Sequence, residues 1–193
     1  MRLFVIARHG ESILNRDRRV NGDPLVPVPL SAQGEEESRF LGVQLAHLPL
    51  ETCVVTRFAR TRGTAELALA GREVPVVVEP LLDDIDVGSL EGVSIEEYRA
   101  WKRVHDRREP FPDGESLDAA ARRYARGFRR LLAGTHSCVL VICHEIPLRY
   151  ILNGAAGSAE LDGPLRHLGN AIPYLLDGLA LERGAARIEE LAG

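Results

Sequence analysis

Arginine and histidine stand side by side at positions 8 and 9, followed by Gly10, Glu11 and Ser12. A cation that never loses its charge, next to an imidazole able to act as a nucleophile, suits phosphoryl chemistry. Gly10 lets the backbone turn sharply and approach an anion closely, and Ser12 is placed to cap a helix aimed at the same point. A second histidine, His144, follows Val139-Leu140-Val141-Ile142-Cys143, and Arg57, Arg60 and Arg62 follow Cys53-Val54-Val55-Thr56. Each of these groups comes directly after a short apolar run.

Those runs are the elements that must position the chemistry. Leu3–Ala7, Cys53–Thr56, Val74–Val78 and Val139–Cys143 are expected to be buried strands. Between them, Gly34–Leu48 carries Leu41, Leu45 and Leu48 at helical spacing. Leu117, Ala120, Ala121, Tyr124, Phe128, Leu131 and Leu132 form an apolar stripe opposite Arg122, Arg126, Arg129 and Arg130, which read as a solvated face. Ser94-Ile95-Glu96-Glu97 is a capping box that opens a helix toward Asp106, and the loop Glu109–Gly114 stops it. Leu179–Leu191, broken at Arg183-Gly184, reads as a hairpin. Strands alternating with helices predict an α/β fold of three layers, a mostly parallel central sheet flanked by helices. Ligands of such sheets bind beyond the carboxyl ends of the strands, so Arg8-His9 and His144 are expected to share one site.

Composition narrows the function classes. The 193 residues are 45% hydrophobic and 27% charged, enough for one globular domain over 1–193, with a short cap segment around 89–115. A net charge of −4 argues against nucleic acid or an anionic membrane as partner, since both need a broad positive field. The cations are almost all arginine, Lys102 being the single lysine. The run Leu3–Ala7 is shorter than the core of a signal peptide, and no stretch approaches the roughly 20 apolar residues of a membrane span. Cys53, Cys138 and Cys143 lack metal-type spacing, so a reducing cytoplasm is the expected compartment.

The order Arg-His-Gly-Glu-Ser, then Arg60 with Thr64-Ala65, then a strand-terminal His144, resembles the histidine phosphatase superfamily, whose best-known branch is the cofactor-dependent phosphoglycerate mutases. The resemblance extends over nearly the whole chain. Asn15 stands where the family has an asparagine, and Pro29–Gly34 is similar to its Pro-Leu-(Ser/Thr)-x-x-Gly helix entry. Leu82-Asp83-Asp84 with Gly88–Gly92 is similar to its Leu-x-Glu and Gly-x-x-Glu-Gly segment, Asp113–Ser116 to its Gly-Glu-Ser, and Leu168–Ala171 to its late asparagine turn. The resemblance implies a phosphoglycerate mutase-like fold, with His9 as the transiently phosphorylated nucleophile. Arg8, Arg60 and His144 would surround the phosphoryl oxygens, and Asn15 would hold the phosphoryl group or its ester oxygen. It implies no metal and no cofactor, arginines and a protonated imidazole supplying the positive field. A leaving alkoxide needs a proton; Asp84, where the family places glutamate, is the expected general acid, with Asp86 and Asp83 as the other candidates.

Several departures accompany these matches: Arg57 replaces a proline, Gly63 a glutamine, and Glu145 a glycine after the second histidine. Glu145 either raises the pKa of His144 or belongs to a helix start facing solvent, and the second reading is favoured. Cys143-x5-Arg149 has the spacing of cysteine-dependent phosphatases, but the intervening residues include no glycine and Pro147 has no N–H to cradle an anion. His144-Glu145 begins like a zincin helix, and Leu148 then stands in place of the second histidine. The expected activity is therefore a metal-independent phosphomonoesterase acting on a small phosphorylated substrate. Mutase-type phosphoryl transfer is the alternative, and a non-catalytic phosphate-binding module a more distant one. Tyr98, Trp101, Arg103, His105 and Phe111 are expected to cover the pocket.

Overall fold

A computed structural model describes residues 2–193. In chain order the elements are β1 (Leu3–Arg8), α1 (Ile13–Arg16), α2 (Ala32–Gln44), β2 (Thr52–Val55), α3 (Ala59–Ala68), β3 (Val76–Val78), α4 (Ile95–Val104), α5 (Leu117–Ala133), β4 (Cys138–Cys143), α6 (Glu145–Ala155), β5 (Pro173–Asp177) and α7 (Gly178–Ala192). The five strands lie in the order β3-β2-β4-β1-β5, all neighbours parallel except β5, which runs antiparallel to β1.

The alternation of side chains along the strands sorts the core into two halves. Phe4, Ile6, Val54, Val139 and Val141 face one side, where residues of α5, α6 and α7 bury them; Val5, Ala7, Cys53, Val55, Leu140 and Ile142 face the other, against Leu41 of α2 and Ala65 and Ala68 of α3. The central strands are thus covered on both faces, which is why they read as unbroken apolar runs. Parallel pairing of β1 with β4 places Arg8 opposite Cys143, so both strands end at one level.

Two expectations fail here. Leu179–Leu191 is no hairpin but part of α7, capped by Asp177, whose Oδ1 accepts from Ala180 N at 2.7 Å. Arg183-Gly184 is not a turn: Gly184 is where α7 crosses α6, and a Cβ there would lie 2.7 Å from Ile151 Cδ1. Leu181, Ala185, Ile188 and Ala192, spaced by four, three and four, form the buried stripe. Val74–Val78 is not a buried strand either. Only Val76–Val78 is extended, at the sheet edge, with its three valines about half exposed. None of the helices among the described residues is long and apolar enough to cross a membrane.

Candidate active site

The β1–β4 ladder continues by one bond past the strands, His9 N donating to Cys143 O at 3.0 Å, and this sets His9 beside His144 with ring centroids 5.3 Å apart. The turn that follows is tightly held. Gly10 N donates to Thr64 Oγ1 at 2.9 Å, and a Cβ on Gly10 would stand 2.4 Å from Gly34 O, so only glycine fits. From the opposite side Asn170 Nδ2 donates to His9 O at 2.8 Å, and Ala171 N to Arg8 O at 2.9 Å. Ser12 caps α1 as expected: its Oγ accepts from Asn15 N and Asn15 Oδ1 accepts from Ser12 N, both at 3.2 Å. Asn15 lines the same cavity as His9.

Hydrogen bonding fixes the tautomer of His9. Its Nδ1 lies 2.7 Å from Gly10 O, and a carbonyl oxygen only accepts, so Nδ1 carries the proton and Nε2 the lone pair. Arg60 Nε donates to that lone pair at 2.9 Å. Burial first, then the charges of Arg60 and Arg8, push the His9 pKa well below its ordinary value. Both effects favour the neutral ring, its nucleophilic nitrogen turned toward the guanidinium of Arg60.

Arg60, 3% exposed, is the hub of the site. Besides His9, its Nη2 donates to His144 Nδ1 at 3.1 Å, to Asp84 Oδ2 at 2.9 Å and to Asn21 O at 3.1 Å, while Nη1 donates to Asn21 Oδ1. Its Cζ lies 4.2 Å from the Phe58 ring centroid. His144 is fully buried; because Nδ1 accepts from Arg60, Nε2 bears the proton and donates to Thr56 Oγ1 at 2.9 Å. Burial and then Arg60 hold the pKa of His144 well below its ordinary value, which favours the neutral imidazole over the expected protonated one. A dianion bound beside the ring would act in the opposite direction.

Of the three candidate acids, Asp84 alone points into this constellation, its Oδ2 also standing 3.4 Å from His144 Nδ1. Burial raises the Asp84 pKa against the opposing pull of Arg60. Asp83 is turned away, its two oxygens taken by Arg57 N at 2.9 Å and Arg57 Nε at 2.5 Å, so Arg57 serves to fix this loop. Asp86 Oδ1 accepts from Gly88 N at 2.9 Å and lies in a neighbouring cavity. Glu145 opens α6, as expected, yet it does not face solvent alone: Oε2 is 2.9 Å from Arg8 Nη1.

A cavity of about 610 Å³ extends from His9 under α4. Lysine and arginine side chains in its wall outnumber carboxylates by seven to three. From α4 the lining residues are Ile95, Tyr98, Arg99 and Lys102, one face of the helix. Trp101, Arg103, His105 and Phe111, expected to cover the pocket, are absent from the lining. The Trp101 ring instead stacks on His105 at 4.0 Å and lies 4.3 Å from Phe111, packing that anchors the segment. Cys143 is fully buried and its thiol pushed up to about 12 by burial, while Arg149 is paired with Asp162 at 2.9 Å. Residues 145–155 form a helix rather than an anion loop, so Cys143-x5-Arg149 does not assemble a phosphate cradle. Among the described residues no three His, Cys, Asp or Glu side chains group as metal ligands.

Sequence reasoning missed Asn21, which receives Arg60 through both its side chain and its carbonyl. Glu91 in turn holds that loop, accepting from Asn21 Nδ2 at 2.8 Å, Gly22 N at 2.6 Å and Asp23 N at 3.0 Å. The signal was the Asn21-Gly22-Asp23-Pro24 turn just after the Arg-His-Gly motif.

The model of the histidine phosphatase superfamily (branch 1) matches residues 4–179. The chain is 32% identical over 169 residues to 2,3-bisphosphoglycerate-dependent phosphoglycerate mutase 2 of Gloeobacter violaceus, covering 79% of this chain and 74% of the relative. It is 31% identical over 155 residues to the adenosylcobalamin/alpha-ribazole phosphatase of Escherichia coli, covering 75% and 74%. The solved structure of the alpha-ribazole phosphatase from Shigella flexneri superposes with a TM-score of 0.80 over 91% of this chain and 90% of that one; at 24% identity this likeness speaks for the fold.

Proposed function

The chain belongs to branch 1 of the histidine phosphatase superfamily, and from that premise we propose a metal-independent phosphomonoesterase that acts on a small phosphorylated metabolite through a phosphohistidine at His9. The observation that carries this reading is the His9 Nε2 lone pair, held toward the cavity by the Nδ1–H bond to Gly10 O and flanked by Arg60. On substrate binding, Arg60 Nε exchanges the imidazole for a phosphoryl oxygen. Nε2 then attacks phosphorus as the ester P–O bond breaks, while Arg8, Arg60 and Asn15, together with His144 once the bound dianion has drawn a proton onto its Nδ1, stabilise the phosphoryl oxygens. Asp84 gives its proton to the departing oxygen. The resulting carboxylate takes a proton from the water that cleaves the P–N bond, which restores both residues.

Mutase-type transfer differs only in the acceptor, a bound hydroxyl in place of water. Hydrolysis is favoured because the segment over the site carries only the single ten-residue helix α4. Phosphate release from a panel of phosphomonoesters tests the proposal. Hydrolysis is expected in excess EDTA and is expected to be blocked by vanadate, a mimic of the transferring group. Activity that appears only with added zinc or magnesium, or isomerisation without phosphate release, would overturn it.

The same groups set a pH profile. His9 must be unprotonated, and its pKa is depressed, so kcat/KM is expected to fall only well below the ordinary histidine value on the acid side. Asp84 must be protonated, and its pKa is raised, so activity is expected to decline as pH rises through that value. The optimum then lies between these two limbs, and Asp84→Asn should remove the alkaline one. An alkaline limb unaltered in Asp84→Asn would assign it to another group.

A further inference from the structure

We propose that Glu145 sets the charge of the phosphate site and thereby restrains its affinity for phosphoryl dianions, so that product phosphate is released readily. This rests on the reading of Arg8 as a phosphoryl ligand. Glu145 is the first residue of α6, directly after His144, and the Arg8–Cys143 register brings it to the end of β1. There Oε2 meets Arg8 Nη1 at 2.9 Å. Its other oxygen stands 3.5 Å from Arg149, but Arg149 has its own carboxylate in Asp162, 2.9 Å away. Asp84 stands 2.9 Å from Arg60, but the proton it carries as the acid leaves that guanidinium uncompensated.

In the state competent for transfer Asp84 carries its proton, so Glu145 is the carboxylate charge set against the guanidinium groups of Arg8 and Arg60. A phosphomonoester dianion therefore meets a cage whose positive charge Glu145 halves. Glu145 also leaves free the edge of Arg8 that an anion would use. Nη1 is occupied by Glu145 and by Leu168 O at 3.0 Å, whereas Nε is buried without a partner and Nη2 has none among the described residues. The Nε–Nη2 edge is one that guanidinium offers to a bidentate oxyanion. Glu145 therefore acts on a bound phosphate by repulsion across Arg8, not by occupying its place.

Two variants separate charge from support. Glu145→Gln keeps an acceptor for Arg8 Nη1 and removes the charge; Glu145→Gly removes both. Calorimetric affinity for inorganic phosphate, and its strength as a competitive inhibitor, are expected to rise about tenfold in Glu145→Gln. A smaller gain is expected in Glu145→Gly. The difference from wild type should shrink as salt is raised, because Glu145 is partly exposed and its field on an entering anion is screened. Unchanged or weaker phosphate binding in Glu145→Gln, or a gain indifferent to salt, would overturn the inference. Arg8→Ala measured alongside distinguishes the two levels. Unaltered phosphate affinity in Arg8→Ala removes the reading of Arg8 and the inference with it, whereas a loss there with no gain in Glu145→Gln overturns the inference alone.

Discussion

Brief reaction with a radiolabelled phosphomonoester, quenched in alkali, is expected to leave label on the wild-type protein that survives base and is lost in acid, and none on His9→Ala. A phosphorus–nitrogen bond has that stability pattern, and His9 Nε2 is the nitrogen whose lone pair faces the cavity. Turnover should fall by about four orders of magnitude or more, since the covalent route is lost and only binding and charge stabilisation are left. Cys143→Ser should keep both label and activity, because the buried thiol is held protonated and its nearest candidate arginine is paired elsewhere. Label that persists in His9→Ala, or disappears in Cys143→Ser, would refute the assignment. His9 is 2% exposed, so the melting temperature of the variant should be recorded with it.

The second large effect separates proton donation from charge stabilisation. Asp84→Asn is expected to slow alkyl phosphates by about 10²–10⁴-fold, the usual span of general acid catalysis, while aryl phosphates with acidic leaving groups lose much less. Asparagine can still accept from Arg60 Nη2, so the hub keeps its place. Arg60→Ala should behave otherwise. It strips donors from the phosphoryl oxygens themselves, and both substrate types should fall together by about 10²–10³-fold. It also leaves Asp84 and Asn21 without their guanidinium partner, so a loss of stability should accompany the loss of rate. Equal losses on alkyl and aryl phosphates in Asp84→Asn would show that the proton comes from elsewhere.

Much of the site was legible because its residues follow buried strands immediately. Leu3–Ala7 and Val139–Cys143 are apolar without interruption because helices cover both faces, and such runs announce what stands at their ends. What could not be read were partnerships across the sheet. Glu145 meets Arg8, and Asn21 meets Arg60, through a strand order of 3-2-4-1-5 that no local pattern encodes. Val76–Val78 looked like a core strand because valine runs carry no sign of edge or centre. Gly184 was mistaken for a turn because close helix packing and chain reversal favour the same residue. Of the residues expected over the pocket Tyr98 lines it, whereas Trp101, Arg103, His105 and Phe111 do not, because α4 turns Ile95, Tyr98, Arg99 and Lys102 toward the cavity and packs Trp101 against Phe111.

The pairing of Arg8 with Cys143 makes strand alignment the one coordinate on which the whole constellation depends. A slip of β1 along β4 by two residues would return every side chain to its own face and satisfy the two cores nearly as well. It would nevertheless carry His9 roughly 7 Å from His144, at about 3.3 Å per residue. Packing alone thus leaves the alignment degenerate, and hydrogen bonds beyond the strand ends must select it. Leu3 N to Ser137 O does so at one end, and Ala171 N to Arg8 O with Asn170 Nδ2 to His9 O at the other. Asn170 is not in the wall of the cavity, yet it acts as a stop for the ladder. Conservative exchanges within Phe4–Ile6 or Leu140–Ile142 should be tolerated by the chemistry, whereas two residues inserted into either strand would separate the two histidines while keeping the strand side chains on their own faces.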